Sequence, residues 1–423
     1  MKRPNTAINA EHARVDALAL EVLAHPSMIE LQQRLATDLL DSPQGRTSSG
    51  ARTIGRALDA LAAASVNYVM TEAGGSDELR WSVLAERDLG DVSFPNSGYG
   101  IENPDNVYRL ASLDASSRYE LRGRIDPTHR PVEVHLEIRD GIPGMTALNP
   151  EAGLQLSTLA LDEKNVDDEG RFSVLIEPGG PNGSATMSSG ADKPAHLIIR
   201  DLLDDWGSEM PCQVELVRLD GPVPLPPDLD RLAELTTRML DTIARFWITY
   251  FATYSYPRVG NAVAPARVRP GGRGASSGGW FSLADDDALV ITLDPLSARS
   301  MGIQVTDPWG LAYEYRHRTS SLNTSQSTPN ADGTYTFVLS PQDPGVPNWL
   351  DPSGHGSGLM AVRWQAFEDE PSDAGVIESR CVKLDALEHH LPEGTPRMDA
   401  TEREAQRADR ARDFFRRFPT YSE

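Results

Sequence analysis

The stretch VEVHLEIRD, residues 132–140, indicates the fold class of this chain of 423 residues. Its apolar residues take alternate positions, which is the period of a half-buried antiparallel strand. The other runs with this alternation are YELRGRI (119–125), RFSVLIEP (171–178), AHLIIRDLL (195–203) and CQVELVRLD (212–220). Clusters rich in Gly, Pro, Asn and Asp separate them, as turns do. Several short strands at this spacing predict a β-sandwich or jelly-roll-like domain.

A second series of strand-like runs begins at residue 280. Its members are WFSLADDDALVITLDP (280–295), MGIQVTD (301–307), AYEYRHR (312–318), GTYTFVLSP (333–341), GLMAVRWQAF (358–367) and GVIESRCVKL (375–384). This series predicts a second β-sandwich. The sequence contains no short-period repeat. The two predicted β-domains could still be distant duplicates of each other, and this alternative stays open.

Helical periodicity surrounds the two series of strands. Residues 11–42 carry apolar side chains at helical spacing, and Pro26 divides them into two helices. The Ala-rich residues 51–72 predict a third helix. A further helix follows a Pro-rich boundary, and Asp228 or Asp230 is its predicted N-cap.

The predicted fold is therefore β-rich α+β, with two antiparallel β-sandwich or jelly-roll-like domains. Its predicted parts are a helical N-terminal cap at 1–100, a first β-sandwich domain at 101–222, a Pro-rich linker and bridging aromatic helix at 223–264, a second β-sandwich domain at 265–390, and a C-terminal helix or tail at 391–423. The stretch PARVRPGGRGASSGG (265–279) is predicted to be a flexible loop or lid.

Charge and composition exclude several classes of partner. The chain has 40 basic and 62 acidic residues, which gives a formal net charge of −22. Such a field repels phosphate backbones and anionic lipid surfaces, so we expect neither nucleic acid nor a membrane as a partner. No apolar run approaches the roughly 20 residues of a membrane span, and no apolar segment follows the basic start. With only Cys212 and Cys381 as cysteines, these features predict a cytoplasmic protein with reduced thiols, although a bridge between the two stays an alternative.

Most standard catalytic and cofactor motifs are absent. The sequence lacks GxxxxGK[ST], GxGxxG, HExxH and CxxC. We therefore expect no cofactor and no metal site.

The loop DPGVPNWLDPSGHGSG (343–358) holds the residue with the clearest acid–base potential, because His355 stands between two glycines. His317, in YEYRHRT, has similarly polar and aromatic neighbours. The predicted catalytic residues are His355 and His317, with Asp343 and Asp351 as carboxylate partners. The alternative for each histidine is a structural role, in which it hydrogen-bonds a turn.

Four segments combine amides, arginines and aromatic rings within otherwise ordinary β-structure. The predicted substrate-binding residues in them are Asn103, Asp105, Asn106, Tyr108, Arg109, Tyr315, Arg316, Asn323, Gln326, Asn348, Trp349, Arg363 and Trp364. Stacking rings and paired amide hydrogen bonds are typical of sites for polyhydroxylated or carboxylated ligands. The alternative is that the amides satisfy the backbone of rigid corners.

Two of these segments resemble a known pair of families. NPDNVYRLASLDASSRYELRG, starting at Asn103, resembles the Asn-Asp-x-x-Tyr segment of the paired "domain of unknown function" families 1254 and 1214. The stretch from SLNTSQ to GLMAVRWQ, with NWL at 348–350, resembles the signature of the 1214 domain. The resemblance covers about 103–124 and 280–366. It implies a fold rich in β-sandwiches, and it carries over no catalytic residue.

The sequence thus predicts a small-molecule-processing enzyme with its site between the two β-domains. The expected chemistry is cofactor-independent hydrolysis or elimination on a polyhydroxylated, steroid-like or aromatic metabolite. Asp105 is a further candidate carboxylate partner, and Arg316 and Arg363 would hold an anion. The alternative is a non-catalytic small-molecule-binding or scaffolding protein, in which the aromatic helix at 239–256 forms the interface of a homo-oligomer.

Overall fold

The computed structural model describes residues 10–75, 79–88, 93–142, 153–179, 187–190, 193–221, 223, 225–268 and 274–417. The α-helices in these ranges are Ala10–Leu23 (α1), Pro26–Leu40 (α2), Ser48–Ala73 (α3), Leu229–Tyr254 (α4) and Ala400–Arg416 (α5). Pro26 begins α2, where its missing N–H costs nothing, and the Asp228 side chain caps α4 by accepting from the Arg231 N–H. The helices predicted at both ends and between the β-domains are confirmed.

The first half of the chain forms two sheets that face each other. The strands are Arg80–Ser82 (β1), Arg87–Asp88 (β2), Ser93–Phe94 (β3), Asn106–Leu113 (β4), Tyr119–Arg124 (β5), Glu133–Arg139 (β6), Gln155–Ala160 (β7), Arg171–Glu177 (β8), Met187–Ser188 (β9), Ala195–Leu202 (β10) and Gln213–Arg218 (β11). One sheet has the order β1-β4-β10-β6-β7 and the other β11-β5-β8-β9, while β2 and β3 pair separately. Leu197 of the first sheet and Val174 of the second belong to one buried core, which confirms the predicted sandwich.

The second half repeats this architecture. Its strands are Arg267–Val268 (β12), Gly274–Ser282 (β13), Asp287–Leu293 (β14), Ala298–Thr306 (β15), Ser321–Asn323 (β16), Tyr335–Leu339 (β17), Trp349–Leu350 (β18), Ser357–Phe367 (β19) and Val376–Lys383 (β20). The sheets have the orders β12-β13-β19-β15-β16 and β18-β17-β14-β20. Phe337, Val362 and Trp364 lie in the core between them.

The two sandwiches share one strand topology. The strand β1 corresponds to β12, and β4 to β11 correspond in chain order to β13 to β20. With this correspondence the five-stranded sheets have the same strand order, and so do the four-stranded sheets. The match extends to the parallel pairs, since β8 with β9 corresponds to β17 with β18. The duplication that the sequence left open is therefore visible in the topology.

Two details differ from the predicted organisation. The strand β1 lies in the range predicted for the helical cap, but it pairs with β4, so the first sheet begins before residue 101. Residues 274–279, predicted as part of a loop or lid, are strand β13, whereas 269–273 lie outside the described residues. Glycine is needed in this strand because the neighbouring backbone approaches it closely: a Cβ at Gly279 would lie 2.1 Å from the Ala262 carbonyl oxygen.

A helical layer covers the outer faces of both five-stranded sheets. The helix α3 contacts β1 and β4 of the first sandwich and β19 of the second. Outward-facing Leu110 and Ile198 pack with α2, α3 and α4 in one core. Most of the aromatic face of α4 is covered within the chain, since Phe246 and Phe251 are buried, whereas Tyr254 is 46% exposed. The homo-oligomer stays a prediction.

Both cysteines are free, Cys212 buried and Cys381 exposed. Among the helices of the described residues, none combines the length and the apolar character that crossing a bilayer requires.

Candidate functional site

Strand alternation places an arginine on the outer face of each five-stranded sheet. Leu197 and Ile199 of β10 enter the first core, so Arg200 faces outward. In the same way Val362 and Trp364 of β19 enter the second core, so Arg363 faces outward. Both arginines therefore lie on the side that the helical layer and the chain before β4 cover.

The two arginines have equivalent partners. Arg200 Nη1 donates to Glu137 Oε2 at 2.6 Å, and Arg363 Nη1 donates to Gln304 Oε1 at 2.6 Å. Glu137 pairs in register with Ile198, and Gln304 pairs with Ala361. In each sandwich the acceptor thus lies opposite the residue two positions before the arginine. The duplicated fold has placed one acidic and one neutral acceptor at matching positions.

Glu137 is shared between two guanidinium groups. Its Oε1 accepts from Arg139 Nη1 at 2.5 Å, while its Oε2 accepts from Arg200. Burial would raise the pKa of this carboxyl, but the two arginines overcome burial and hold the pKa at about 2. Burial would lower the pKa of Arg200, and Glu137 raises it instead. The group therefore carries one uncompensated positive charge.

Arg363 has neutral hydrogen-bond partners. Besides Gln304 it donates to the carbonyl oxygen of Ile101, and it forms no salt bridge within the described chain. Burial lowers its pKa, and Tyr108, Asp105 and Glu102 act in the opposite direction. An arginine stays protonated at neutral pH under such influences. Arg363 thus brings a second positive charge to the region between the sandwiches.

Tyr108 lies beside Arg200 and is near enough to Arg363 to raise the pKa of that arginine. The guanidinium carbon of Arg200 lies 5.9 Å from the centre of its ring. The Tyr108 hydroxyl accepts from the Asn103 N–H at 3.1 Å and from Asn106 Nδ2 at 3.3 Å. The Asn103 side chain in turn donates to Gln365 Oε1 of β19 at 2.8 Å. Strand β4 and the segment before it therefore connect the two sandwiches.

A tyrosine pair lies beside this group. The hydroxyls of Tyr68, on α3, and Tyr99 are in hydrogen-bond contact. Burial raises the pKa of Tyr68 to about 12 and that of Tyr99 well above its usual value, while Arg200 lowers both. The Tyr99 ring meets Trp247 of α4 edge-on, with centroids 6.0 Å apart. Both tyrosines are therefore protonated at neutral pH and offer hydroxyl groups.

Five side chains from the two sandwiches form what we call the interdomain site: Asn106, Tyr108, Arg200, Arg363 and Gln365. All five keep an intermediate exposure, and the Arg200 side chain is 31% exposed. Protein atoms nevertheless surround both arginines closely enough that burial is the largest influence on the pKa of each.

Two amide atoms at the interdomain site and on its acceptor Gln304 have no partner within the described residues. They are Asn106 Oδ1 and Gln304 Nε2, both buried. Native proteins satisfy most such atoms, so orphaned ones call for an occupant or for ordered water. They mark positions where a ligand would find one acceptor and one donor.

Asp105, which is near Arg363, belongs to a buried hydrogen-bonded cluster. Its Oδ1 accepts from Trp206 Nε1 at 3.0 Å and from Asn323 Nδ2 at 2.8 Å. Burial raises its pKa to about 6, while Arg417 and Arg410 of the C-terminal region lower it. The guanidinium carbons of Arg417 and Arg410 lie 3.7 Å and 4.3 Å from the Trp206 ring centre. This cluster fastens the end of the chain to both sandwiches.

Four predicted binding residues belong to the packing of this region. Asn323 also donates to the Asp204 carbonyl oxygen at 2.8 Å, and Gln326 accepts from Arg410 Nη1 at 2.7 Å. Asn348 bridges the backbone of Thr328 and Thr336. Trp349 donates to the Ser340 carbonyl oxygen at 2.9 Å.

Arg109 and Trp364 lie on the inner faces of their strands. Arg109 pairs with buried Asp201 and donates to the Cys212 carbonyl oxygen at 2.7 Å. Trp364 is fully buried and donates to the Asp294 carbonyl oxygen at 2.8 Å. Strand alternation thus separates Arg109 from Tyr108 and Trp364 from Arg363.

The predicted catalytic histidines have different surroundings. His355 stacks on Tyr313 with ring centroids 5.0 Å apart, and its Nδ1 lies 3.3 Å from Arg52 Nη2 of α3. Burial lowers the pKa of His355, and Arg52 and Arg56 lower it further. His317 is exposed and lies against Phe415 of α5.

The predicted carboxylate partners bind arginines of α5. Asp343 accepts from Arg403 at 2.9 Å and 3.1 Å, and Asp351 accepts from Arg318 at 2.9 Å and Arg407 at 3.2 Å. No hydrogen bond joins either carboxylate to a histidine among the residues described. Their catalytic roles stay predictions.

Tyr315 and Arg316 line a separate cleft, which also contains Arg56 and Asp59 of α3. Within the described chain, no group of three His, Cys, Asp or Glu side chains is placed to hold a metal ion.

Sequence reasoning missed Arg200, Glu137, Gln304 and the tyrosine pair. A signal for Arg200 exists, because LIIRD (197–201) and MAVRW (360–364) place an arginine after the same apolar run. Only the shared strand order shows that the two runs correspond. No local pattern indicates Tyr68 or Tyr99, since they come from a helix and a loop far from the strands.

Comparisons with known proteins show a similar fold and indicate no activity. No family model matches the chain, and no curated protein matches it. The chain is similar to the crystal structure of an uncharacterized protein from Burkholderia cenocepacia, with a TM-score of 0.68 and 22% identity over 87% of this chain and 99% of that one. It is more weakly similar to the crystal structure of the VPA0106 protein from Vibrio parahaemolyticus, with a TM-score of 0.41 and 11% identity over 78% of this chain and 98% of that one. The first similarity shows the fold alone.

Proposed function

We propose that this protein binds a small, anionic, hydroxyl-bearing molecule at the interdomain site. The observation that carries the proposal is the matched pair Arg200 and Arg363, one from each sandwich, with the Arg200 guanidinium against the ring of Tyr108. Guanidinium groups are the usual protein partners of carboxylates, which they bind through two parallel hydrogen bonds.

The charge at the site favours an anion. Glu137 is shared by Arg139 and Arg200, and the acceptors that Arg363 bonds within the described residues are neutral. The site therefore carries a local positive charge in a chain whose formal net charge is −22. A local field opposite to that of the whole surface raises the concentration of a ligand with the complementary charge.

The neutral groups at the site favour hydroxyls on the ligand. The Tyr108 hydroxyl, the Gln365 amide and the unpartnered Asn106 Oδ1 provide both donors and acceptors. Sugar acids combine a carboxylate with several hydroxyls, so they are the class that satisfies both the charges and these polar atoms. Tyr108 offers an aromatic ring against which a sugar ring would lie.

Acid–base catalysis on the bound molecule is a second candidate function. The observation that favours it is a pair of carboxyls behind Arg363. Burial raises the pKa of Glu102 to about 7 and that of Asp105 to about 6. Groups that titrate near neutrality suit proton transfer, so hydrolysis or elimination remains part of the proposal. The predicted cytoplasmic location and the resemblance to the 1254 and 1214 families also remain proposals.

Isothermal titration calorimetry with defined probes tests the binding function. We expect heat of binding with gluconate and galacturonate, and none with glucose, which lacks the carboxylate, or acetate, which lacks the hydroxyls. Arg200→Gln and Arg363→Gln should each weaken binding roughly tenfold or more, because each removes a charge-assisted bond. The matched control is Arg245→Gln, an exposed α4 arginine paired with Asp241. Absence of binding by both sugar acids would contradict the proposal.

A direct assay separates catalysis from binding. Gluconate and galacturonate are incubated with the protein, and products are followed by nuclear magnetic resonance. Turnover that Glu102→Gln or Asp105→Asn abolishes, while binding survives, would support the second candidate. Binding without turnover would leave the protein as a binding protein.

A further inference from the structure

We infer that the cleft between α3 and residues 313–316 is a second ligand site, and that it takes a free amino acid with an apolar side chain. The cleft has a volume of about 470 Å³, within the range of small-molecule sites. Its walls come from α3, residues 85–86, residues 95–96 and residues 313–316. The interdomain site has none of these residues, so each proposal can fail without the other.

Arg56 supplies the binding group for the carboxylate of the ligand. Its Nη2 donates to the Ala312 carbonyl oxygen at 2.8 Å, and this is its single hydrogen bond within the described residues. The other cleft arginine is occupied, because Arg316 donates to Glu314 through Nε and Nη2 and to the Glu86 carbonyl oxygen through Nη1. Arg56 is held in place by one bond and keeps further N–H groups for a ligand.

Two carboxylates supply the binding groups for the ammonium of the ligand. Asp59 lies one turn after Gly55 and Arg56 on α3, and it accepts one hydrogen bond from Gln32 Nε2 at 3.0 Å. Glu86 is exposed on the wall formed by residues 85–86. Neither carboxylate forms a salt bridge among the residues described. A cleft with one guanidinium and two carboxylates that are outside salt bridges within the described residues complements a molecule that carries both charges.

The remaining surface of the cleft is suited to an apolar side chain. Tyr313 and Tyr315 are buried at its base, with 1% and 7% exposure. Ala60, Ala85 and Pro95 complete the apolar lining. An aliphatic or aromatic side chain would bury its surface there, while the two charged ends meet the polar wall.

Gly55 lines the cleft without a side chain, so a larger residue at this position is the most direct test of the site. It is exposed on α3, and a Cβ at this position would meet no heavy atom within 4 Å. Leucine at position 55 would therefore fill space without a clash. It would also favour the helix, since glycine costs about 1 kcal/mol in a helix interior. Gly55→Leu should fold at least as well as the natural chain and still lose the site.

Calorimetric titration with L-leucine tests the inference, with N-acetyl-L-leucine and L-leucinamide as probes that lack one charge each. We expect L-leucine to bind, and each blocked derivative to bind at least tenfold more weakly. Arg56→Gln should weaken binding roughly tenfold or more, and Gly55→Leu should abolish it with an unchanged or higher Tm. Arg52→Gln, one turn earlier on α3 and outside the lining, is the matched control. Failure of L-leucine to bind, equal binding of the blocked probes, or normal binding by Gly55→Leu would each overturn it.

Discussion

Arg200 and Arg363 occupy the same position in two sandwiches of one topology, and each bonds the side chain opposite the residue two positions earlier. The acceptors differ, because Glu137 is charged and Gln304 is neutral. This difference leaves the second sandwich with an arginine that forms no salt bridge with any carboxylate in the described part of the chain.

Replacing Gln304 with Glu should copy the arrangement of the first sandwich into the second. The new carboxylate would neutralise Arg363, which donates to this side chain at 2.6 Å. We expect gluconate to bind roughly tenfold more weakly, because the ligand would compete with an internal carboxylate. Calorimetry measures the affinity, and thermal unfolding should show a folded protein. Unchanged or tighter binding would mean that Arg363 does not hold the anion.

Replacing Glu137 with Gln should destabilise the fold and change its behaviour in acid. The folded-state pKa of Glu137 is about 2, below its ordinary 4.5. Its contribution to stability is therefore present above pH 4.5 and is lost as the pH falls toward 2. At neutral pH the loss should be about 3 kcal/mol, measured by urea unfolding. The variant should show a smaller loss between pH 5 and pH 3 than the natural chain, and an equal loss would contradict the assignment.

Replacing Glu102 with Gln should stabilise the fold above neutral pH, whereas the Glu137 variant is destabilised there. Burial raises the pKa of Glu102 from 4.5 to about 7, so the folded state holds this proton more tightly than the unfolded chain. Its contribution to stability is thus largest below pH 4.5 and falls as the pH rises through 7. At pH 8 the variant should be more stable than the natural chain, by up to about 3 kcal/mol. Urea unfolding at pH 5 and pH 8 measures the difference, and a variant that is less stable at pH 8 would refute the argument.

Replacing Arg410 with Met should loosen the C-terminal helix. Arg410 donates to the Tyr315 carbonyl oxygen, Gln326 and Ser321 at 2.6 to 2.7 Å. Loss of these donors leaves buried acceptors unsatisfied, which costs about 1–3 kcal/mol. Arg412→Met is the control, because Arg412 is exposed on the same helix and should change stability by less than about 0.5 kcal/mol. Equal effects of the two variants would show that the buried contacts contribute little.

The His355 imidazole should titrate below its ordinary range. Burial and the guanidinium groups of Arg52 and Arg56 lower its pKa, so His355 is neutral at pH 7. Replacing Arg52 with Gln should move the pKa upward, because one opposing charge is removed. Nuclear magnetic resonance titration of the imidazole protons measures both values. An unchanged pKa in the variant would show that the contact with Arg52 is not maintained in solution.

Much of the fold could be predicted because it depends on local periodicity. VEVHLEIRD forms β6 and AHLIIRDLL contains β10, as their alternation indicated, and Pro26 begins α2. The Gly-rich run 274–279 was harder to interpret, since glycine is typical of both loops and close strand contacts. Its pairing with β19 depends on the position of the neighbouring backbone, which only the tertiary structure gives.

The candidate site was predicted in part. Asn106, Tyr108 and Arg363 were proposed from residue type, and the structure brings Tyr108 and Arg363 near each other. Asn348 and Trp349 have the same residue types, but their hydrogen bonds go to the backbone of nearby turns. Residue type alone cannot distinguish an amide that a turn consumes from one that remains available.

The sequence by itself determined the two series of strands, the helices around them and the strong negative charge, because periodicity and composition are local properties. The tertiary structure alone decided that the two sandwiches share one topology and that Arg200 and Arg363 correspond. It also decided which polar groups are consumed by internal partners and which keep open positions. Those outcomes depend on contacts between residues that are distant in the sequence, as between Asn103 and Gln365, and no local pattern encodes such contacts.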